Sequence, residues 1–578
     1  MVNKDLLLVV VRHISIGVCV GAVVFLTSNV DAQEGVPYKP VTDAELVDPP
    51  DEDWLMYRRT YNGWGFSPLD QVTTANVQNL RPLWSFATGL TDGHESPPIV
   101  NDGTMFITTP QNNVIALDAR TGDMLWRYVR VLPESLRQIH PTNRGVALYA
   151  DRVYLATVDS MLVALDAVSG NVIWETEVGD WQTGYYMTMA PLLVKGKVLV
   201  GVSGGEMGIR GFVAAFDAMT GEEAWKTYTV PSPDQEGNET WPGETWRTGA
   251  VPVWITGSYD PALNLTYWGT GNAGPWMGDK RPGDNLYANS VIALDADTGE
   301  LRGYHQYHWN GSWDWDEVAS PLLIDVEREG RTIKSLVHPG RNGYLWVLER
   351  GADEITFVDA KPFVYQNVFT RLDPVTGRPE YDPEHKPRTG TRLMFCPSVW
   401  GGKNWPPAAY NPLTRRLYFS ANDNLCAYMN TREVEYSPGS VYTGGSSQMF
   451  VREGADHIGE LQAWNLDTGE EVWTREFESH NWGPILTTAG GLVFAGGTND
   501  RYFRAFDGLS GETLWEQQVS SGVIGVPTSY MVEGVQYIAV QAGWGLDAAR
   551  MQNALDRSRG ETTLLPQGGV LWVFALDN

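Results

Sequence analysis

The stretch Val114-Ile115-Ala116-Leu117-Asp118, followed by Thr121-Gly122 and then Trp126, decides the fold of this chain. An apolar strand ends in Ala-x-Asp, a Thr-Gly turn follows, and a second strand begins near the tryptophan. The aspartate can cap the turn, and glycine supplies the positive φ that the turn needs. The tryptophan can pack between neighbouring sheets with its indole N–H bonded to backbone. The stretch is therefore predicted to be a hairpin.

The same unit recurs along the chain. Five further copies end at one acidic or amide residue each: Asp166, Asp217, Asp295, Asn465 and Asp507. The copy at Asp295 lacks the tryptophan, and Tyr304 lies nearby. The long interval before Asn465 has room for two degenerate copies, and strand-like runs occur there at 343–348 and 416–420. Six clear and two degenerate copies predict an all-β fold, an eight-bladed β-propeller with Trp-bearing blade repeats and loops capping one face.

The C-terminal run from Val570 to Leu576 alternates like a strand. We expect it to pair with a strand near the N-terminus, because ring closure removes exposed sheet edges. No second domain is expected, so residues 33–578 are predicted to form one propeller domain. Long inserts between the repeats, such as Val230 to Trp246, are interpreted as loops over one face.

Residues 1–32 have the pattern of a signal peptide. Lys4 and Arg12 supply positive charge, an apolar run follows from Ile14 to Leu26, and a small-residue cleavage site ends at Ala32. The alternative is an uncleaved membrane anchor. No other apolar run approaches the length of a transmembrane helix. The pattern predicts a periplasmic chain without a stable membrane span.

Cysteine usage agrees with export. Cys19 lies within the predicted signal peptide, so the mature chain would keep Cys396 and Cys426. Two cysteines in an oxidising compartment are expected to pair, and two free buried thiols are the alternative. No Cys-x-x-Cys-His site for covalent haem is present. Electrons that leave such a protein would pass to a separate carrier.

The chain is strongly acidic, with 42 Lys and Arg against 70 Asp and Glu and a formal net charge of −28. This balance argues against nucleic acid as a partner. It suits a cationic protein partner through electrostatic steering. The alternative is that acidity only keeps an exported protein soluble.

Three motifs carry hard oxygen ligands. They are Glu206 in Gly-Gly-Glu-Met-Gly (204–208), Asn272 in Gly-Thr-Gly-Asn (269–272), and Asp314 and Asp316 in Trp-Asp-Trp-Asp (313–316). Carboxylate and amide oxygens suit calcium or another hard cation. These residues are remote in sequence, so they can meet only where the fold brings loops to one axis, as a propeller does.

The repeats, together with Gly-Gly-Glu-Met-Gly-Ile-Arg-Gly (204–211) and Gly-Thr-Gly-Asn-Ala-Gly-Pro-Trp (269–276), resemble the pyrroloquinoline quinone (PQQ)-dependent alcohol dehydrogenases. The resemblance covers nearly the whole mature chain. Four further segments agree in order: 94–98, 143–145, 401–407 and 521–525. It implies oxidation of a primary or secondary alcohol to an aldehyde or ketone by metal-assisted hydride transfer to the quinone. A soluble cytochrome c is the expected separate electron acceptor.

The resemblance also assigns cofactor contacts. Trp254 matches the tryptophan that forms the floor beneath the flat, acidic quinone. Arg341 matches the cation beside the reactive carbonyl and is the predicted electrophilic catalytic residue. Positions around the cofactor rim are matched by Glu95, Arg144, Thr188, Ser203, Gly204, Gly205, Asn404 and Trp482. Trp544 matches a pocket aromatic.

Metal binding and base catalysis are assigned in the same way. Glu206, Asn272 and Asp314 match the family's metal ligands, and Asp314 also matches the catalytic base. Asp316 matches an extra carboxylate characteristic of lanthanide-using members, since a trivalent ion is better balanced by added negative charge. The alternative is a loop aspartate bonded to backbone or lying beside calcium. One ion, Ca²⁺ or a lanthanide(III), is therefore expected.

The chain departs from the methanol-type members at three places. The adjacent cysteines before Asn143 are absent, Pro252 replaces a threonine that contacts the quinone, and Asp547 to Pro566 replaces a shorter glycine-rich loop. Methanol is therefore not the expected substrate. A bulky polyol, sugar, polymer or polycyclic secondary alcohol is the alternative.

A non-catalytic propeller scaffold of the outer-membrane assembly type shares such repeats. It would not need the joint presence of Glu206, Asn272, Asp314, Trp254 and Arg341.

Overall fold

The Ala-x-Asp repeat lies in the third strand of a four-stranded antiparallel sheet in the computed structural model, which describes residues 38–577. In the first sheet, Asp118 Oδ1 accepts hydrogen bonds from the backbone N–H groups of Arg120 (2.8 Å) and Thr121 (2.9 Å). Gly122 follows with φ +79°. The predicted aspartate-capped turn is therefore present. The predicted signal peptide, residues 1–32, lies outside the described residues and stays a prediction.

Eight sheets of four or five strands are formed by the described residues. We number them by chain order. Sheet 1 comprises Ile99–Asn101, Thr104–Thr108, Val114–Asp118 and Met124–Tyr128; sheet 2 comprises Ala147–Tyr149, Arg152–Ala156, Met161–Asp166 and Val172–Glu177; sheet 3 comprises Leu192–Val194, Lys197–Gly201, Phe212–Asp217 and Glu223–Tyr228; sheet 4 comprises Ser258–Asp260, Leu265–Gly269, Ser290–Asp295 and Leu301–Gln306.

The second half of the chain continues the series. Sheet 5 comprises Leu322–Arg328, Arg331–Pro339, Tyr344–Arg350 and Ile355–Pro362; sheet 6 comprises Ala409–Asn411, Arg416–Asn422, Gly459–Asn465 and Glu470–Phe477; sheet 7 comprises Ile485–Thr488, Leu492–Ala495, Tyr502–Asp507 and Thr513–Gln518 with Phe66–Ser67 added in parallel; sheet 8 comprises Thr528–Val532, Val535–Ala542, Val570–Leu576 and Leu80–Ala87.

Tryptophans join successive sheets. The Trp126 indole N–H of sheet 1 donates to the Ala167 carbonyl in the turn of sheet 2 (3.0 Å), and Trp225 of sheet 3 reaches Ala296 of sheet 4 (3.3 Å). The turn glycine makes room for the ring, because a Cβ at Gly170 would lie 2.5 Å from Trp126. The repeat tryptophans therefore act between sheets, as predicted.

Sheet 8 closes the ring between the two ends of the described chain. Val570–Leu576 pairs antiparallel with Leu80–Ala87, and Leu80 lies opposite Leu576. Sheet 8 in turn contacts sheet 1, where the Tyr530 hydroxyl donates to the Ala119 carbonyl (2.6 Å). The predicted closure by the C-terminal strand is confirmed.

Of the two degenerate repeats, the one at 343–348 was placed correctly and the one at 416–420 was not. The run at 343–348 corresponds to Tyr344–Arg350, the third strand of sheet 5. The run at 416–420 lies within Arg416–Asn422, the second strand of sheet 6, whose third strand is the clear copy ending at Asn465. The long interval is instead filled by two inserted sheets: Phe369–Leu372 with Pro379–Tyr381, and Arg392–Phe395 with Leu425–Thr431 and Gly445–Val451.

Two α-helices occur within residues 38–577, Asp43–Val47 and Gly545–Arg559. Gly545–Arg559 lies in the segment that differs from methanol-type members, and it packs against the inserted strand Gly445–Val451. Its Ala548, Met551 and Leu555 side chains join a buried apolar cluster. Seven short 3₁₀ turns are also present: Val77–Asn79, Pro110–Asn112, Trp181–Thr183, Gly205–Met207, Asn238–Thr240, Thr245–Thr248 and Gly278–Lys280.

The insert from Val230 to Trp246 contains two of these 3₁₀ turns and no strand. Trp241 and Trp246 pack it against Val251 and Ala288. Neither α-helix of the described chain has the length and apolar character required to cross a membrane.

The predicted disulfide is confirmed. Cys396 and Cys426 are bonded, with their Cα atoms 4.4 Å apart. Cys426 lies in Leu425–Thr431, and Cys396 directly follows Arg392–Phe395, the antiparallel neighbour of that strand. The bond therefore joins two neighbouring strands of an inserted sheet.

We expect replacement of both cysteines, Cys396→Ser with Cys426→Ser, to lower the free energy of unfolding. The bond closes a loop with a sequence separation of 30 residues. Closing a loop of this size restricts the unfolded chain, which corresponds to about 3–4 kcal/mol in the chain-entropy treatment. Urea unfolding of both proteins measures the change. Thiol titration of denatured, unreduced chain beginning at Gln33 should find no free thiol, and two titrating thiols would contradict the bond.

Candidate active site

One end of the sheets surrounds a central cavity of about 260 Å³. In each antiparallel sheet, the segment entering the first strand and the segment leaving the second strand lie at the same edge. Trp254, Asn404 and Trp482 precede the first strands of sheets 4, 6 and 7, whereas Glu206 and Arg341 follow the second strands of sheets 3 and 5. The ring therefore brings these remote residues to one cavity.

Most of the residues predicted for the site line this cavity. They are Arg144, Thr188, Ser203, Gly204, Gly205, Glu206, Trp254, Asp314, Asp316, Arg341, Asn404 and Trp482.

Three predicted residues do not line it. The Glu95 carboxylate lies behind Arg144, at 2.9 Å from its Nη2 atom. Asn272 turns its side-chain amide to the Ala273 carbonyl (3.2 Å). Trp544 is fully buried against His480, with the ring centroids 5.3 Å apart.

Two buried tryptophans fix the Trp-Asp-Trp-Asp segment. Trp313 and Trp315 stack with centroids 5.1 Å apart, and their indole N–H groups donate to the carbonyls of His385 and Ser398, both at 2.8 Å. Between them, Asp314 has φ +64°, a left-handed conformation that is unusual for a non-glycine residue. The packing therefore holds Asp314 at the cavity wall in a backbone conformation that the side chain alone would not favour.

Electrostatics at Asp314 favours the protonated form. Burial raises the pKa of Asp314 well above its usual range, and the charges of Asp316 and Glu206 act in the same direction. The positive charge of Arg341 opposes this rise. Burial also raises the pKa of Glu206. A cation placed among these groups would favour their charged forms.

Arg341 connects the aspartate segment to Asn404. Its Nη1 donates to the Asp314 carbonyl (2.6 Å), and its Nη2 donates to Asn404 Oδ1 (3.1 Å). Arg341 Nη1 also lies 3.8 Å from Asp316 Oδ2. The guanidinium is thus held beside the carboxylates, and its buried Nε has no hydrogen-bond partner among the described residues.

Arg144 packs against two tryptophan rings at the cavity. Its guanidinium carbon lies 5.0 Å from the Trp254 ring centroid and 4.6 Å from that of Trp405. Arg144 Nη1 donates to Thr188 Oγ1 (2.6 Å), which lies 3.3 Å from Ser203 Oγ. Two arginines therefore place positive charge on a cavity that also presents flat aromatic surface.

Asp316 is hydrogen-bonded on both carboxylate oxygens. Oδ1 accepts from the Asn272 backbone N–H (2.6 Å), and Oδ2 accepts from the Trp254 indole N–H (3.0 Å). Asp316 thus fixes Trp254 at the cavity while facing the cavity itself.

A different group has the tighter spacing of potential metal ligands. Within the described chain, ligand atoms of Asp423, His457 and Glu460 lie within 4.8 Å of one another, and none of the three lines the central cavity. Glu206, Asp314 and Asp316 share the cavity without reaching that spacing. His457 is hydrogen-bonded to Glu460 at 2.9 Å, so this outer cluster is accounted for as a paired histidine.

A family model described as "PQQ: Glucose/ethanol/alcohol dehydrogenase, beta-propeller domain" matches residues 54–368 and 459–538. The chain belongs to the PQQ-dependent alcohol dehydrogenase family. The resemblance noted from the motifs is confirmed, as is the all-β propeller class. The matched family model is described as a dehydrogenase domain, which supports an enzyme over the non-catalytic scaffold.

Three similar proteins show which kinds of dehydrogenase this chain resembles. Quinoprotein alcohol dehydrogenase PedH of Pseudomonas putida is 35% identical, over 94% of this chain and 94% of its own length. Methanol dehydrogenase [cytochrome c] subunit 1 of Methylobacterium organophilum is 33% identical, over 91% of each chain. The solved structure of a europium-containing methanol dehydrogenase superposes with a TM-score of 0.87 at 34% identity, covering 92% of this chain and all of that one (100%).

The cavity of this quinoprotein fits the cofactor of its family. Arg144 and Arg341 offer guanidinium groups to an acidic, planar molecule, and Trp254 offers a flat apolar surface. Four buried donors on residues that line the cavity have no partner within residues 38–577: Arg144 Nε, Arg341 Nε, Trp405 Nε1 and Trp482 Nε1. Partnerless buried donors are costly, so they point to a ligand that accepts hydrogen bonds.

Glu317 is a site residue that the motif comparison missed. Its buried carboxylate accepts hydrogen bonds from the backbone N–H of Arg341 (2.9 Å) and of Asn342 (3.2 Å). His338 Nε2 lies 2.8 Å from the same group, and His308 Nδ1 lies at 3.4 Å. Although burial raises it, contacts with these histidines lower the pKa of Glu317 to about 2. Glu317 therefore fastens the aspartate segment to the Arg341 loop.

His140 and Asp547 form a second unforeseen contact. His140 Nδ1 lies 2.9 Å from Asp547 Oδ2, and both residues line the cavity. Although burial lowers it, the charge of Asp547 raises the pKa of His140 above its ordinary value. The pair joins the segment that lacks adjacent cysteines to the helix Gly545–Arg559. Pro252, the third departure, also lines the cavity.

We expect Glu317→Gln to lower both stability and activity. Removing the charge weakens the hydrogen bonds that the buried carboxylate accepts, and a hydrogen bond to a charged group contributes about 1.5–3 kcal/mol. It also weakens the hold on Arg341, so kcat should fall in the fraction that remains folded. Urea unfolding and the turnover rate per bound quinone are the two measurements.

Glu460→Gln is the matched control. Glu460 is also a buried glutamate bonded to a histidine, but its carboxylate contacts His457 and Gln462 and not the Arg341 loop. This variant should lose stability and keep its turnover per bound quinone. An equal loss of turnover in both variants would show that Glu317 has no specific role at the site.

Proposed function

We propose that this quinoprotein oxidises a primary or secondary alcohol other than methanol to the aldehyde or ketone. The observation that carries the proposal is the convergence of Asp314 and Arg341 on one cavity beside Trp254. An acid–base group, a fixed cation and a flat aromatic surface are the parts that hydride abstraction from an alcohol needs. Bound PQQ would supply the two-electron acceptor.

Each residue at the cavity is assigned a distinct role in the reaction. The Asp314 carboxylate removes the hydroxyl proton while the carbinol carbon gives up hydride. Arg341, held by the Asp314 carbonyl and by Asn404, stabilises negative charge that develops near it. Trp254 supports the cofactor ring, and Arg144 binds an acidic group of the rim. Behind these contacts, Glu95 fixes Arg144, while Thr188, Ser203, Gly204, Gly205 and Trp482 complete the wall.

For the metal we propose Glu206, Asp314 and Asp316 with Asn272 as ligands of one Ca²⁺ or lanthanide(III) ion. Three carboxylates at one cavity balance a trivalent ion, whereas a divalent ion would leave one negative charge in excess. The europium-containing relative supports the lanthanide. Binding would require the Asn272 amide to leave the Ala273 carbonyl.

The substrate is proposed to be larger than methanol. Ile139, Trp276, Val399 and Trp400 add apolar surface to the lining of the cavity. Such a lining removes apolar surface of a longer alcohol from water, which methanol cannot exploit. A bulky polyol, sugar, polymer or polycyclic secondary alcohol is the second candidate, because the exposed Arg550 of the helix Gly545–Arg559 lines the cavity.

The family and the sequence also support proposals for the localisation, the domain organisation and the electron acceptor. We propose export to the periplasm after removal of residues 1–32, leaving one propeller domain over 33–578. Electrons would pass to a separate soluble cytochrome c, as the name of the Methylobacterium organophilum relative suggests for that protein. A net charge of −28 suits a cationic carrier and argues against nucleic acid as a partner.

We expect Asp314→Asn to lower kcat by roughly 10²- to 10⁴-fold, the range associated with loss of a general base. The substitution keeps the side-chain shape and removes the proton acceptor. An alcohol panel with an artificial electron acceptor gives the rate, and quinone and metal content are measured on the same samples. Full activity with bound quinone would remove Asp314 from the mechanism.

Asp316→Ala should separate the two metals. Its loss removes one of three carboxylates, so lanthanide-supported turnover should fall much more than calcium-supported turnover. Apo-protein is reconstituted with PQQ and either calcium or a light lanthanide, for wild type and variant. Because Asp316 also bonds Trp254, quinone content is measured in each sample. Equal losses with both metals would make Asp316 a structural residue, and a wild type active only with calcium would refute the lanthanide.

A further inference from the structure

A second cavity of about 380 Å³ adjoins the central one. The two cavities share Trp400, Ser447 and Arg550. Trp400 packs edge-on against Trp482 of the central cavity, with centroids 5.2 Å apart. A molecule in the central cavity can therefore extend past Trp400 along the helix Gly545–Arg559.

The second cavity is cationic in a strongly acidic chain. Arg550 and Arg557 line it together with Ser447, Gln448 and Ser558, and no carboxylate does. Both arginines are exposed. Arg550 reaches Asp547 only at 3.4 Å, and Arg557 forms no ion pair within the described chain. By contrast, Arg130 and Arg415 each pair with a carboxylate elsewhere in the ring. Arg550 and Arg557 are seven positions apart, about two helical turns, which places both on one face of the helix.

We propose that the preferred substrate is an alcohol that carries a carboxylate at the far end of an apolar spacer, and that Arg550 and Arg557 bind this carboxylate. The inference rests on the proposed dehydrogenase function. Guanidinium groups match carboxylate geometry, and the spacer would lie against Trp400. In a chain of net charge −28, a local cationic groove is needed to admit an anion against general repulsion.

The chemistry leaves the carboxylate unchanged. The hydroxyl oxygen loses a proton to Asp314 and the carbinol carbon gives up a hydride, whose two electrons bound PQQ would accept. The product of an ω-hydroxy acid is the corresponding ω-oxo acid. The carboxylate contributes binding and orientation only.

Arg557 has one further explanation, because cations near a helix C-terminus complement the helix dipole. Arg559 lies in the same last turn and provides the matched control. It donates to the Glu478 carbonyl (3.2 Å) and does not line the second cavity. Arg557→Gln and Arg559→Gln thus remove the same dipole contribution, but only the first removes a cation from the groove.

The test uses a charge series of equal length: 1-hexanol, 6-hydroxyhexanoate and 6-aminohexan-1-ol, with PQQ- and metal-loaded enzyme and an artificial acceptor. We expect kcat/KM for wild type to be highest for the hydroxy acid and lowest for the amino alcohol. In Arg557→Gln, the ratio of hydroxy acid to hexanol should fall about fivefold to tenfold, the size of one charge-assisted hydrogen bond at an exposed site. Arg559→Gln should keep the ratio, and Arg557→Lys should keep most of it.

Binding is measured separately from turnover. Hexanoate cannot be oxidised, and its binding to loaded wild type and Arg557→Gln is compared by saturation-transfer NMR. Weaker binding in the variant supports the groove even if no alcohol in the panel is oxidised, in which case the proposed function fails alone. An unchanged ratio together with unchanged hexanoate binding overturns the inference. A changed KM for the acceptor without a changed ratio also overturns it, because the arginines then serve acceptor docking.

Discussion

Pairing of Leu80–Ala87 with Val570–Leu576 is the constraint on which the cavity depends. The residues at the cavity come from loops of different sheets, and most sheets contact the next through a tryptophan that bonds backbone of that sheet. Such a series defines a central axis only when its last sheet meets its first, as Tyr530 meets Ala119. Closure also removes the free sheet edges that would otherwise be exposed. A local change at either terminus would therefore affect a site far from it in sequence.

Buried carboxylates and guanidinium groups both line the cavity at the centre of this ring. Asp314, Asp316 and Glu206 face Arg341 and Arg144, and burial raises the pKa of Asp314 and of Glu206. Glu317 is the exception, because two histidines and two backbone N–H groups compensate it internally. One carboxylate thus serves to hold the loops, while its neighbours are left to be balanced by a ligand. Within the four consecutive residues 314–317, Glu317 therefore positions the loops, whereas Asp314 and Asp316 are the carboxylates that face a ligand.

The sequence predicted the ring well because its unit is local. The Asp118 turn, its glycine and Trp126 act within one hairpin and the adjoining turn, so a single chain pattern contains them. The same reasoning misplaced a repeat at 416–420, where inserted sheets lengthen the interval. The motif comparison identified most residues of the cavity wall. It could not place the Asn272 side chain or Trp544, because their orientation depends on packing, and it passed over Glu317, whose partners His308 and His338 meet it only in the folded chain.

The helix Gly545–Arg559 was not predicted either, and its residues line both cavities. It supplies Asp547 to His140 on one side and Arg550 and Arg557 to the second cavity on the other. The catalytic parts sit on loops fixed by sheets and stacked tryptophans, whereas the helix packs on an inserted sheet outside the eight-sheet ring. A substitution on the helix can therefore alter what enters the cavity without disturbing Asp314 or Arg341. Physical separation of this kind lets one reaction be retained while the range of alcohols changes.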